Sequence, residues 1–580
     1  MISLRNTFMT VYKGRLYPNY WDIAALFLAL GLISLLAWNA KQMAVPYQLG
    51  QTISISLDPR YLPEYALRTV LRMLIAMIFS LLFTFVFATW AAKSKRAARI
   101  IIPVIDILQS VPILGFLSIA VVGFIELFPN SLMGPECASI FVIFTSQAWN
   151  MALGFYQTVR SVPADLEEAA NMFHLSAWQR FWRIDVPFSM PGLLWNMMMS
   201  MSAGWFFVVA SEAVSVAKQD ILLPGIGSYI ALAIKAADLH AIWYAILAMF
   251  VIILVYDQLL FRPLITWADK FKFEQVATEK EPHSWVVDLL HRTRLLNYLG
   301  IQISVLADAF VNISIFRSRP VTYIQKMKRL KYQVILAFIW NALLIVSLIG
   351  AFLFLGNYIF RMIPFADIRE VFFLGLITAT RVFVLISVVS LIWVPVGVWV
   401  GLRPRVAEFI QPLAQFLAAF PANLFYPIFV IGIITYHLNV NVWLTPLMIL
   451  GTQWYVLFNV IAGASVLPKD LLQVADNLGV NYWLRWRRII LPGIFPYYIT
   501  GAITAVGGAW NASIVAEVVS WGDKTLVATG LGAYISQFTA SGNFLRIGLG
   551  IGMMCLLVLV FNRLVWRPLY VLAETRYQLD

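Results

Sequence analysis

Several stretches of this chain are too long and too apolar for anything but a bilayer. Residues 21–39, 70–92, 335–356, 371–401 and 545–566 carry almost no charge. A helix that crosses the hydrocarbon core needs roughly 20 apolar residues. Only helices and closed barrels satisfy their backbone groups there, and a barrel strand takes only about ten residues. Composition agrees: 61% of the 580 residues are hydrophobic and 12% are charged, about half the charged share of a soluble domain. The sequence predicts an all-α polytopic membrane protein.

Twelve spans are expected, at about 21–39, 66–92, 101–127, 138–157, 190–215, 241–262, 334–356, 371–401, 409–435, 443–463, 495–519 and 544–566. The basic residues fall in one set of loops: Lys93, Lys95, Arg96 and Arg99; Arg160, Arg180 and Arg183; Arg403 and Arg405; Lys469, Arg485, Arg487 and Arg488. The alternate loops 127–137, 357–370 and 436–442 are poor in them. The positive-inside rule then places the basic loops, both termini and the long polar stretch 263–333 on the cytoplasmic side. The net charge of +13 reads as cytoplasmic loops facing anionic headgroups rather than nucleic acid. The first apolar run lacks a small-residue cleavage site and reads as a retained span. In the linker, Lys326, Lys328, Arg329 and Lys331 are expected near headgroups, beside surface helices. Cys137 and Cys555 read as small buried hydrophobes.

The chain also repeats itself. PADLEEAANMFHLSAWQRFWRIDVP starts at Pro163, and PKDLLQVADNLGVNYWLRWRRIILP starts at Pro468. At a shift of 305, Asp165 meets Asp470, Trp178 meets Trp483, Arg183 meets Arg488 and Pro187 meets Pro492. The same shift pairs Trp205 with Trp510, Glu212 with Glu517, Gly225 with Gly530, Gly227 with Gly532 and Tyr229 with Tyr534. Upstream it becomes 309, pairing Arg72 with Arg381 and Pro112 with Pro421. This is a duplicated six-span unit. Its copies are parallel, because the matched loops share a side. The expected divisions are 1–65, an extra span and outer loop; 66–265, the first half; 266–333, a cytoplasmic linker; 334–370, an extra span of the second half; 371–570, the second half; and 571–580, a tail.

Each copy of the loop reads as helix–turn–helix. Acidic residues Asp165, Glu167 and Glu168 suit the positive end of a first helix, and Leu166, Ala169, Ala170 and Phe173 form an apolar stripe. Leu471, Val474, Ala475 and Leu478 repeat it. A left-handed residue at His174 or Gly479 is expected to close the first helix. Ser176 with Gln179 forms a capping box, and Asn481 an N-cap. Pro187 and Pro492 are expected to end the second helix before the next span. The same pattern at one register in both halves points to a docking knob for a soluble partner.

Glu-Ala-Ala, three residues, Gly, nine residues, Ile-x-Leu-Pro resembles the cytoplasmic loop of the permeases of binding-protein-dependent ABC importers. The first copy supplies Glu168, Ala169, Ala170, His174, Ile184, Val186 and Pro187; the second supplies Gln473, Val474, Ala475, Gly479, Ile489, Leu491 and Pro492. The first departs at the glycine and the second at the glutamate. The later Trp205…Glu212…Gly225-Ile-Gly227 and Trp510…Glu517…Gly530-Leu-Gly532 look most like the nitrate/sulfonate/taurine/bicarbonate branch. The resemblance implies a type I importer permease with two fused halves in a bacterial-type inner membrane. It implies that the two loops, including Trp178, Arg183, Trp483 and Arg488, each seat on one of two ATPase domains, expected as a homodimer. It also implies an extracytoplasmic substrate-binding protein. The chain has no G-x-x-x-x-G-K-[ST]; its nearest string is WGDKT at 521–525. ATP and Mg are therefore expected on the partner, and the chain is expected to be a transport component rather than an enzyme.

A charge in the hydrocarbon costs roughly 2.5 kcal/mol or more, so each needs a partner or a task. Arg72 with Glu212 and Arg381 with Glu517 read as in-half ion pairs, or as an outer gate or an anion site. Gln147, Gln453, Trp205 and Trp510 sit mid-span, where they suit a weak-binding pathway or interhelical packing. The two arginines favour a small anion as substrate. The alternative is a stand-alone secondary transporter or channel, which should line a midplane path with ionisable groups. His283 and Asp288 have an acyltransferase-like spacing without a second motif, and the five histidines are too scattered for a metal site.

Overall fold

The computed structural model describes residues 20–43, 45–47, 53–216, 219–271, 284–313, 346, 350, 357 and 361–576. Among these, eight helices are long and apolar enough to cross a membrane: Tyr20–Gln42, Pro59–Lys93, Met133–Arg160, Ala177–Glu212, Leu239–Asp269, Phe365–Gly401, Tyr482–Ala516 and Phe544–Ala573. Three further expected spans are present but broken. Lys95–Gln109 and Ile113–Leu127 meet at 92°, Pro404–Ala419 and Ala422–Thr435 at 74°, and Val440–Met448 and Gln453–Ser465 at 46°. In the first two, Pro112 and Pro421 stand at the break in extended conformation. Proline bars the residue before it from the helical region and removes a donor. The spans expected at 101–127, 409–435 and 443–463 are thus present as bent pairs. The expected span 334–356, apart from residues 346 and 350, the basic cluster 326–331 and His283 lie outside the described residues.

The chain divides into two compact units. The first gathers Met1–Gln42, Gly154–Met198 and Leu254–Val334, and includes the first span, the first repeated loop and the linker. There the linker forms helices Trp285–Arg292 and Arg294–Val311. The second unit gathers Met43–Leu153, Met199–Ile253 and Ile335–Asp580, with the second loop and most of the core. A large apolar cluster, including Leu385, Val456, Ile494, Ala505 and Leu557, fills that unit.

Proline acts differently from expectation at Pro187 and Pro492. The second loop helix does not stop there; it widens into one π turn, Phe181–Asp185 or Trp486–Ile490, and runs on as the next span. The N–H of Val186 reaches the Phe181 carbonyl, and that of Leu491 reaches the Trp486 carbonyl, five residues back. A π turn shifts the bonding register and relieves the proline ring's clash with the preceding turn. The same device precedes Pro263 and Pro568 in the last span of each repeat.

Each repeat also carries a hairpin that the apolar pattern conceals. Ala213–Val216 pairs with Gln219–Leu222, and Val518–Trp521 with Lys524–Val527. The spans expected at 190–215 and 495–519 therefore end at Glu212 and Ala516. The string WGDKT is the tip of the second hairpin. Gly522 takes φ 56° there, as a two-residue turn requires of its first residue.

Candidate functional site

The two repeated loops fold alike. In the first, Pro163 precedes helix Ala164–Met172, with Asp165 and Glu167 in its first turn. His174 then takes φ 50°, and the Leu175 N–H closes on the Ala170 carbonyl at 3.0 Å. Ser176 and Gln179 form the reciprocal capping box that opens Ala177–Arg180. In the second, Pro468 precedes Lys469–Asn477, Gly479 takes φ 62°, and Val480 closes on Ala475 at 2.9 Å. Asn481 caps Tyr482–Arg485. One arginine in each loop ties the second helix to the first: Arg180 to Glu167, and Arg485 to Asp476. Phe173 is 79% exposed and Leu478 74%, so the end of each first helix offers an apolar side chain to the outside. Glu168 is exposed too, whereas Ala170 and Ala475 are buried beneath their helices.

The loops differ in what touches the second helix. Trp178 Nε1 donates to the Phe310 carbonyl at 3.2 Å, and Gln179 and Arg183 donate to Asn312 Oδ1 at 3.0 and 3.3 Å. The Phe310 ring lies 5.2 Å from Trp178 and 5.9 Å from Trp182. The end of a linker helix thus lies on the first loop. Trp483, at the matching position, is exposed.

A cavity of about 160 Å³ lies within the second unit and takes its wall from both repeats. Ser146, Trp149, Asn150, Ser200 and Phe206 come from the first; Phe420, Tyr426, Thr452, Tyr455 and Asn511 come from the second. No charged side chain lines it. All three broken helices reach it, through Gln109 and Ile113 in one repeat, and through Ala418, Phe420 and Ala422 and through Met448, Gly451 and Thr452 in the other. A restarted helix presents unbonded N–H groups and the positive end of its dipole. One of these is capped across the repeats: Asn511 Oδ1 accepts the Ile113 N–H at 2.6 Å. Asn423 Nδ2 donates to the Phe206 carbonyl at 3.3 Å, and Ser202 bonds the Ala418 carbonyl. Thr452 Oγ1 is buried in this wall without a partner.

The mid-span residues singled out in the sequence lie elsewhere. Gln147 is fully buried against Ser80 and Met201, and Gln453 bonds Trp393 and the Leu450 carbonyl. Trp205 and Trp510 are 2% exposed. None of the four is in the cavity wall. The wall's small hydroxyls and amides were not found because nothing marks them within an apolar helix.

The expected in-half ion pairs form. Arg72 meets Glu212 at 2.6 Å, and Arg381 meets Glu517 at 3.0 Å. Glu136 joins the first at 2.6 Å, and the Pro224 carbonyl takes a further Arg72 bond at 2.9 Å. Glu212 also accepts from Thr69 Oγ1 at 2.7 Å and the Gly227 N–H at 2.6 Å. The second repeat copies this with Thr378 at 2.9 Å and the Ala533 N–H at 3.0 Å. The glycines beside the glutamates are now explained. A Cβ on Gly225 or Gly530 would lie 2.3 Å from the carboxylate, and one on Gly227 or Gly532 would strike the preceding helix backbone. Each cluster staples the hairpin and the following short helix to the first span of its repeat. All three nitrogens of the Arg72 guanidinium are engaged by protein acceptors.

A family model described as binding-protein-dependent transport system inner membrane component matches the chain twice, over residues 84–261 and 393–567. The chain is 29% identical to a bicarbonate transport system permease protein of Synechococcus elongatus over 154 residues, 27% of this chain and 54% of that protein. It is 26% identical to a nitrate import permease protein of Leptolyngbya laminosa over 110 residues, 19% and 37% of the two chains. It is 25% identical to a taurine transport system permease protein of Escherichia coli over 141 residues, 24% and 50%. The chain spans about half the length, or less, of these relatives. The two matched segments cover more than half of the chain and coincide with its two repeats, so the protein belongs to the inner-membrane permease family of binding-protein-dependent transport systems, with two permease halves fused in one multi-pass chain.

Proposed function

We propose that the chain forms the substrate pathway of an ATP-driven importer and is driven by separate ATPase subunits through its two loops. The observation that carries this reading is the pair of loops at one register, each with a left-handed hinge at His174 or Gly479 and an apolar residue exposed beside it. Such a helix pair, continuous through a π turn with the next span, transmits a rigid-body push into that span. One chain serves two ATPase domains, which carry ATP and Mg, and both chain ends lie on their side of the inner membrane. An extracytoplasmic binding protein delivers the substrate.

The substrate is a small anion. Supporting this are a wall with no charged side chain, hydroxyls and amides to replace hydration, and restarted helices whose positive ends lie at the cavity. Such groups hold an anion weakly enough to release it. Two relatives are named for bicarbonate and nitrate, both small anions, and a third for taurine, which carries an anionic sulfonate beside its ammonium. The test is uptake of labelled bicarbonate, nitrate and taurine by vesicles holding the chain and supplied with its binding protein, with and without its ATPase. Uptake that requires ATP and the ATPase is expected; equal uptake by the chain alone would refute the reading.

A further inference from the structure

The repeats diverge beside the second staple. In the first repeat, Tyr229 Oη donates to the Leu57 carbonyl at 2.9 Å. Its register partner, Tyr534, is 7% exposed, and its hydroxyl has no hydrogen-bond partner. Tyr534 helps wall a recess of about 350 Å³. Asp367, Glu370, Gln537, Phe538 and Arg546 belong to the same wall. At the matching first-repeat positions stand Asp58, Tyr61, Leu232, Ala233 and Ala241. A carboxylate, an amide, a ring and a guanidinium have thus been placed together in one copy only.

These groups are partly unused. Arg546 bonds one oxygen of Asp367 at 2.9 Å and lies 4.9 Å from the Phe538 ring centre. Among the described residues, the side chains of Glu370 and Gln537 have no hydrogen-bond partner. Burial pushes the Tyr534 hydroxyl up to about 12, so it stays protonated and neutral. Two carboxylates against one guanidinium leave the recess net negative, and the Tyr534 and Phe538 rings, 4.6 Å apart, favour a cation on their faces. Glu370, Gln537 and Thr529 are exposed at its rim. Asp367 and Glu370 stand in the first turns of helix Phe365–Gly401, at the end opposite the basic loop that holds Arg403 and Arg405, which puts them on the extracytoplasmic side.

We propose that this recess receives a cationic side chain, a lysine ammonium or an arginine guanidinium, presented by the extracytoplasmic binding protein. Glu370 supplies the charge partner, Tyr534 Oη and Gln537 Oε1 accept its remaining N–H groups, and the ring faces cover its stem. The proposal rests on the importer reading and gives it an address: docking is anchored on the second repeat, where the first has no equivalent.

The test measures docking of the cognate binding protein to the full chain, assembled with its ATPase in nanodiscs. Truncating one partner of a desolvated charge pair slows or weakens association strongly, and a reversed charge does more. Glu370→Gln is expected to weaken docking about tenfold and Glu370→Lys about a hundredfold, with Tyr534→Phe weaker by about threefold. ATPase assembly, measured alongside, reports that each variant is folded. Wild-type docking by Glu370→Lys would overturn the proposal and leave the importer reading intact. No docking by any form, wild type included, would overturn both. Methylguanidinium serves as a small-cation probe: binding that Glu370→Gln abolishes, with docking unchanged, would assign the recess to a free cation and overturn the assigned source.

Discussion

The first repeat closes its buried staple with two carboxylates around one arginine; the second uses one carboxylate and an amide. Arg72 is completely buried and bonds Glu136 and Glu212 at 2.6–2.7 Å, whereas the Arg381 side chain keeps 11% exposure and bonds Glu517 and Asn441 at 3.0 Å. Asn441 stands at the register of Glu136 and also accepts the Thr529 N–H at 2.8 Å. The comparison teaches that duplication has kept the mechanical joint and changed its charge. A buried pair contributes little net stability, but breaking one leaves an uncompensated charge.

The largest effect should therefore come from Arg72→Ala. It strands two buried carboxylates and should cost about 3–5 kcal/mol, seen as loss of monodisperse protein on size-exclusion chromatography. Arg381→Ala strands one buried carboxylate that still accepts from Thr378 and the Ala533 N–H, and should cost less, about 1–3 kcal/mol. Equal losses would break the comparison. Gly225→Ala and Gly530→Ala place a methyl against the carboxylates and should each cost about 1–3 kcal/mol of stability through overpacking, read as a lower melting temperature. Converting the first joint into the second with Glu136→Asn should cost about 1–2 kcal/mol, and a melt equal to wild type would show that the extra carboxylate is dispensable. The smallest effect belongs to the loops: Gly479→Ala should lose about 1 kcal/mol through its left-handed φ, whereas His174→Gly should be neutral or slightly stabilising.

The loops were the most legible part of the sequence, because their chemistry is local. A capping box, an N-cap and a glycine at a fixed offset each dictate a dihedral angle, and the structure holds all three. The spans among the described residues were legible in rough position, since hydrophobic length is a one-dimensional signal. Bends were not, although Pro112 and Pro421 stand at two of them; a proline announces a disturbed helix without saying whether it breaks or, as at Pro187 and Pro492, widens and continues. The hairpins after Glu212 and Ala516 were invisible because their apolar residues extend the apolar run of the span. The in-half ion pairs could be read because both members are charged and repeat. Their other members, Thr69, Thr378 and Asn441, carry no such mark. The cavity wall was missed for the same reason: serine, threonine and asparagine inside a helix look alike whether they face a neighbour or a pathway.

The account turns on the two loops as the grip of the motor. Phe173→Cys and Leu478→Cys, each at the exposed end of a first loop helix, should both cross-link to the ATPase subunits in the assembled complex, with yields that change when ATP is bound. Cross-linking from neither position, in a complex that still contains the ATPase, would contradict it.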